Sequence, residues 1–272
     1  MQADRFDLDA YLARLRLSRP DEPTLAVLTR LQQAHLAAVP FENLDILLGR
    51  PIRLDLGSLQ AKLVAGGRGG YCFEQNTLFQ AALEALGFAV RPLAARVRVG
   101  GGPVRPRTHM LLHVELPEGG FIADVGFGGD SPLRPLRLEE TAEIRDGDTA
   151  HRLRREDGLW VLEADSGGGW TDQYAFTLEP QHPADFEVAN HFTSTWPRSP
   201  FVNTLTAQIC TPHRRTILRN RDLVVREAGR QSTSTIRDPE HLLQVLEDEF
   251  RLCFPPGTRF AKPEFGDDTA SR

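Results

Sequence analysis

The chain has 272 residues, 40% of them hydrophobic and 25% charged, with a formal net charge of −5. That length allows a substantial core in one large domain or a few small ones, and the composition excludes disordered and fibrous classes. Arg and Asp/Glu are interspersed without a basic stripe, which argues against nucleic acid as a partner.

Apolar runs are only a few residues long, far short of a membrane span, and the opening MQADRFDLDA is polar rather than a signal-peptide core. A cytoplasmic protein with no membrane partner is expected, and a homo-oligomer stays open. The three cysteines, Cys72, Cys210 and Cys253, are odd in number and widely spaced, which fits reduced thiols. No CxxC or HExxH motif occurs. His109 and His113 share one face of an expected strand but lack further clustered ligands, so no metal is expected.

In chain order, Leu8, Tyr11, Leu12 and Leu15 recur at helical spacing, and the turn from Arg19 to Pro23 ends that segment. A second helix is expected from about Thr24 to Leu36, with Leu25, Leu28 and Leu31 as its buried stripe. Pro40 then breaks the helix, and Val39-Pro40-Phe41-Glu42-Asn43-Leu44-Asp45-Ile46 leaves an acid and an amide between apolar residues. Glu42 is either an ordinary surface residue or the buried partner of Arg68. Ser58 reads as the cap of a short helix through Val64.

Arg68-Gly69-Gly70-Tyr71-Cys72-Phe73-Glu74-Gln75-Asn76 follows, and the rest of the chain is organised around it. Leu78, Phe79, Ala82, Leu83 and Leu86 continue at helical spacing until Gly87, which places Cys72 in a helix's first turn. Unpaired N–H groups and the positive end of the macrodipole stabilise an anion there and favour the thiolate. The two glycines leave one side of the cysteine free of side chains. The alternative is an inert buried cysteine after an ordinary Gly-Gly turn.

From about residue 88 the pattern becomes β. Strands are expected over 90–99, 110–116, 121–125, 151–155, 159–164 and 173–178, separated by Gly-, Pro- and Asp-rich turns, as in an antiparallel barrel or sheet. Beyond Pro180 come a short helix over 185–190, strands over 206–210, 215–219 and 223–227, and a helix opened by Asp238-Pro239 with Leu242, Leu243, Leu246 and Phe250 as its stripe. Residues 255–272 are polar and read as an extended or disordered end. The expected division is 1–87 helical with the nucleophile, 88–184 a barrel with the base, and 185–272 an interdomain segment and α/β lid.

His109 stands at the entry to one strand and Asp124 at the end of the next, before Gly126. A thiolate attacks, an imidazole moves the proton, and a carboxylate holds the ring's tautomer, so Cys72, His109 and Asp124 form a candidate triad. Each has a plainer alternative, a turn residue for Asp124 and a structural role for His109. His113, on the same face, competes as base; His109 is preferred for its place nearer the helix terminus.

Val39 to Ile46, Arg68 to Asn76, Arg107-Thr108-His109-Met110-Leu111-Leu112 and Ile122-Ala123-Asp124-Val125-Gly126-Phe127-Gly128-Gly129 resemble the arylamine N-acetyltransferases, as do Phe186 to Asn190 and Ser199-Pro200-Phe201. The resemblance covers essentially the whole chain. It implies an α+β fold: an N-terminal helical bundle, a central antiparallel β-barrel and a C-terminal α/β lid, on a core like that of cysteine proteases. It places the family's nucleophile on Cys72, its histidine on His109 and its aspartate on Asp124. It also implies a ping-pong reaction in which acetyl-CoA, the co-substrate, acetylates Cys72 and the thioester then acylates an aromatic amine or hydrazine. Phe41, Val97, Thr108, Phe127 and Phe201 fall at the family's substrate contacts, and Gly126, Gly128 and Gly129 at a backbone approach for CoA. Two other activities share these residues: hydrolysis, if water reaches the acyl-enzyme, and amide formation within a larger acyl chain. A catalytically silent binding protein is the third alternative.

Overall fold

The computed structural model describes residues 6–140 and 143–265. The end expected to be extended or disordered lies partly outside them, over 266–272. α1 (Leu8–Arg14) is capped by Asp7, which accepts from Ala10 N at 2.9 Å, and it buries Tyr11 and Leu12. α2 (Leu25–Ala38) is capped by Thr24 and buries Leu28 and Leu31. Beyond Pro40 come β1 (Phe41–Glu42), α3 (Leu44–Leu47) and α4 (Leu56–Leu59). The cap of α4 is Asp55 rather than Ser58, because the Asp55 carboxylate accepts from Ser58 N at 2.9 Å and starts the helix earlier. A π-helical turn, Gln60–Ala65, leads into the glycine turn and then α5 (Cys72–Ala85). α5 is closed by Gly87 at φ +84°, a left-handed position that glycine takes without strain.

β2 (Ala89–Val97), β3 (Arg107–Leu116), β4 (Gly119–Ala123), β5 (Leu136–Arg137), β6 (Glu143–Asp146), β7 (Thr149–Glu156), β8 (Leu159–Asp165) and β9 (Thr171–Phe176) form one antiparallel sheet in the order β5-β4-β3-β2-β9-β8-β7-β6. It curls into a nearly closed barrel. Asp146 joins the two ends by accepting from Leu133 N at 2.9 Å and Arg134 Nε at 2.7 Å. The period of two along β3 sends Met110, Leu112 and Val114 into the core shared with α5, while Leu111 points into the barrel. His109 sits on the inward face at the strand's start, where barrel and helix meet.

α6 (Pro183–Thr195) and α7 (Pro200–Asn203) cross to the last unit. α6 runs well past the expected 185–190, since Pro183 suits the first turn and Asp185 accepts from His182 N at 2.8 Å. β10 (Thr206–Cys210), β11 (Arg214–Arg219), β12 (Asp222–Glu227) and β13 (Arg230–Thr235) follow, and α8 (Pro239–Phe250) buries Leu242, Leu246 and Phe250 against them. The five-stranded sheet is completed by β1, whose Phe41 and Glu42 pair with Gln208 and Ala207 of β10. Asn43 strengthens this join by donating to Phe201 O at 2.7 Å and Thr204 O at 2.8 Å and accepting from Thr206 N at 2.9 Å. Leu44 and Leu47 accordingly pack in the core of the last unit, although they lie early in the chain. The architecture is α+β. Among the described residues, no helix is long and apolar enough to cross a membrane.

Candidate active site

The turn that presents Cys72 is held from beneath by polar groups buried with it. Glu74 Oε2 accepts from Tyr71 N at 3.1 Å, occupying a donor at the start of α5. Gln75 Nε2 donates to Pro40 O at 3.1 Å and Gly70 O at 2.7 Å, and its Oε1 takes the His35 Nε2 proton at 3.0 Å. His35 Nδ1 in turn accepts from the Tyr11 hydroxyl at 2.8 Å. Burial lowers the His35 pKa to about 3, so the ring stays neutral and the relay keeps one hydrogen-bond direction. Gly69 and Gly70 turn out to face protein rather than open space. A Cβ on Gly69 would lie 1.9 Å from Pro40 O, and one on Gly70 would lie 2.6 Å from Glu74 Oε2. The pair is there so that β1 and the capping acid can approach the turn.

A second layer carries charge. Arg68 grips Glu42 at 2.6 Å and Asp45 at 3.3 Å, which realises the buried-partner alternative for Glu42. Lys62, on the π-helical turn, lies 2.8 Å from Asp45 and 2.7 Å from Glu74. Burial raises the Glu74 carboxyl to about 7 even against Lys62, and the Glu42 charge adds to the rise. Glu42 is fully buried and also accepts from Leu44 N at 2.7 Å. Glu42→Ala, by leaving a buried guanidinium without its main counter-charge, should cost about 3–5 kcal/mol, read as a lower urea midpoint at unchanged slope.

Above this base stand three groups in sequence. Cys72 is 3% exposed, and its Sγ lies 3.6 Å from the Thr108 carbonyl oxygen. His109 Nε2 lies 2.7 Å from Asp124 Oδ2, with both residues buried, which leaves Nδ1 for the thiol. Asp124 Oδ1 accepts from Asn76 Nδ2 at 3.0 Å and from Gly126 N at 2.9 Å, so the carboxylate is fixed on both oxygens. Asn76, one turn after Cys72 on α5, also donates to Met110 O at 2.8 Å and accepts from Val125 N at 3.2 Å. It thereby locks nucleophile helix, base strand and acid turn together. Burial pulls the His109 pKa down, but the Asp124 charge and hydrogen bond, then Cys72, outweigh it and raise it to about 10. The ring is therefore held as a cation at neutral pH. His113 is placed elsewhere: its Nδ1 accepts from Arg91 Nε at 3.1 Å and Nε2 faces Glu115 at 3.4 Å.

The expected aromatic contacts form two groups. Phe127 packs edge-on against His109 at 5.0 Å, together with Tyr174, while Val97 lies opposite Tyr174 in the β2–β9 register. Phe41 and Phe201 meet at 6.2 Å, and Tyr71 packs on Phe201 at 5.4 Å. Thr108 reaches the site through its carbonyl. Of the three glycines, Gly126 is required by packing, since its Cβ would lie 2.6 Å from Cys72 Cα. At Gly128, φ +71°, a Cβ would lie 3.2 Å from the Phe41 ring, and of the three Gly129 alone faces open space. Gly126→Ala should push the acid turn off α5 and cut turnover more than about a hundredfold, the cost of misplacing a catalytic group by an ångström or so. Steady-state kinetics on the folded variant would show it.

Gln75, Asn76 and Glu74 lie inside the motif that singled out Cys72, yet spacing assigned them nothing; their polarity on a face otherwise apolar was the available signal. Tyr174 and Lys62 had no signal of that kind. A separate cleft of about 550 Å³ opens between the 146–149 turn and the edges of β11 and β12, and none of the three central residues lines it. Among the described residues no cluster of His, Cys, Asp and Glu is arranged to hold a metal ion.

A sequence-family profile described as N-acetyltransferase matches residues 24–256. The chain is 41% identical over 253 residues to an arylamine N-acetyltransferase of Mycobacterium tuberculosis, covering 90% of this chain and 89% of that one. Among solved structures, the arylamine N-acetyltransferase of Nocardia farcinica superposes with a TM-score of 0.86 at 44% identity, covering 93% of this chain and 92% of that one. The arylamine N-acetyltransferase of Mycobacterium marinum in complex with CoA also superposes at 0.86, with 36% identity and coverage of 90% and 92%.

Proposed function

Because the chain belongs to the arylamine N-acetyltransferase family, we propose that it moves an acetyl group from acetyl-CoA to the nitrogen of an arylamine or arylhydrazine, in two steps through an acetyl-Cys72 intermediate. The observation that carries this reading is the buried His109, whose Nε2 lies 2.7 Å from Asp124 Oδ2 while the ring's other side meets Cys72, a setting that favours the imidazolium.

In the first step the Cys72 thiolate attacks the acetyl carbonyl carbon. The tetrahedral oxyanion is stabilised by first-turn N–H groups of α5, which have no partner within the helix. The C–S bond to CoA breaks, and the departing thiolate takes the His109 proton. In the second step the amine nitrogen attacks the thioester, neutral His109 accepts the amine proton, and the bond to Cys72 Sγ breaks. Asp124 keeps Nδ1 turned to the sulfur throughout. Phe127 and Tyr174 against His109, with Phe41 and Phe201 beyond Gly128, supply apolar walls suited to an aromatic ring. Gly129, the glycine with open space around it, is the backbone available to the donor.

Intact mass after incubation with acetyl-CoA and no amine tests the covalent step. A gain of one acetyl group, discharged on adding an aniline, is expected. An unchanged mass would reject the intermediate.

A further inference from the structure

The turn that follows Asp124 is gripped from the opposite side by the last sheet. Arg215, on β11, is 8% exposed, and its guanidinium donates through Nη1 to Gly129 O and through Nη2 to Ser131 O at 2.8 Å. Gln208 Nε2, on β10, adds a bond to Gly129 O at 2.9 Å. Between these two carbonyls, Asp130 is held by Arg226 Nη1 at 2.7 Å through its carboxylate and by His151 Nε2 at 2.7 Å through its carbonyl. Burial lowers the His151 pKa and Arg215 lowers it further, so this histidine is a neutral donor beside the guanidinium.

Arg215 is an unusual use of a buried charge. Its guanidinium bonds to backbone carbonyls, whose dipoles offset part of the desolvation. A planar fork bonds two carbonyls two residues apart and sets the path of the chain between them, which an ammonium point charge does not do. The path so fixed carries Phe127 and Gly128 immediately before it. Phe127 lies against His109, and a Cβ on Gly128 would lie 3.2 Å from the Phe41 ring.

We infer that Arg215 is a positioning residue for the amine: its fork holds the 127–131 turn so that Phe127 stands as a wall beside His109, with no contact of its own to the triad. The inference rests on the acetyl-transfer reading above. The test compares the parent, Arg215→Met and Arg215→Lys in three measurements: the KM for 4-methoxyaniline, the KM for acetyl-CoA, and the rate of Cys72 alkylation by iodoacetamide.

The expected result for Arg215→Met is an amine KM raised about tenfold, with alkylation within about twofold of the parent. Arg215→Lys should lie between the two. An amine KM unchanged in Arg215→Met overturns the inference and leaves the fork a structural staple. So does a rise confined to the acetyl-CoA KM, which would mean that Arg215 meets the donor, and so does alkylation slowed as much as turnover. If Arg215→Met fails to fold, the amine KM of Arg215→Lys decides by the same comparison. If the parent is not acetylated at all, the transfer reading has failed. Protection of Cys72 from iodoacetamide by 4-methoxyaniline then still compares parent and variant, and equal protection overturns the positioning role.

Discussion

Cys72→Ala is expected to abolish acetyl transfer, a loss of about 10⁴-fold or more in kcat/KM, while leaving the fold intact. The two halves of this expectation have different causes. The chemistry stops because Cys72 is the nucleophile of the proposed reaction, and without its thioester the amine has nothing to attack. The fold persists because the sulfur's polar contacts, with Thr108 O at 3.6 Å and with His109, are not what holds the turn, which rests on Glu74, Gln75 and Asn76. Circular dichroism and the urea midpoint should stay near the parent's, and the mass should not change with acetyl-CoA. Cys253→Ala serves as the control: that thiol is exposed, and the variant should turn over like the parent. Residual turnover above about one part in 10² in Cys72→Ala would place the nucleophile elsewhere.

Asp124→Asn should lose about 10³–10⁴-fold in kcat/KM, with the His109 titration displaced. An amide has one acceptor oxygen where the carboxylate had two. The variant therefore loses either the His109 Nε2 contact at 2.7 Å or the pair of donors from Asn76 and Gly126. Either way Nδ1 is no longer held toward the thiol. The pH dependence has a defined sign. His109 is raised to about 10, above its unfolded value, so its stabilising charge is fully present below about pH 6.5 and is lost as pH rises through about 10. Removing the carboxylate leaves burial as the dominant influence, so the imidazolium loses its proton at lower pH. The stability gap between parent and variant should be widest in mild acid and narrow toward pH 10. The alkaline limb of thiol alkylation should move down in pH. A limb that stays in place would show that Asp124 does not hold the charge.

Much of this site is readable from the chain because its parts are local. A Gly-Gly turn before an apolar helical pattern places Cys72, and a polar residue at each end of two neighbouring apolar strands marks His109 and Asp124. The helices and most long strands follow from periodicity for the same reason. Other features depend on partners far away in sequence. β1 is two residues long and is held by partners distant in sequence, β10 on one side and Gly70 on the other. β13 is exposed at every position and carries no apolar alternation. Lys62 reaches Asp45 and Glu74 by way of a π-helical turn that no local preference announces. Arg215 is one arginine among many until β11 is laid against the Asp124 turn. Three of the glycines mislead in an informative way: Gly69, Gly70 and Gly126, read as leaving room for approach, make room for other parts of the protein, whereas Gly129 faces open space.

The join between Asn43 and the segment from Phe201 to Thr206, with Leu44 and Leu47 sunk in the distal core, bears on how the molecule comes apart. The eight-stranded sheet closes within the first 184 residues, but the five-stranded sheet and the core behind it take β1, Leu44 and Leu47 from that side and β10 to β13 and α8 from the other. Truncation at that point strands an unpaired edge on one piece and an open apolar face on the other. The amides of Leu44 and of residues 206–210 should then exchange with deuterium at the same, global free energy, and calorimetry should record one melting transition rather than two.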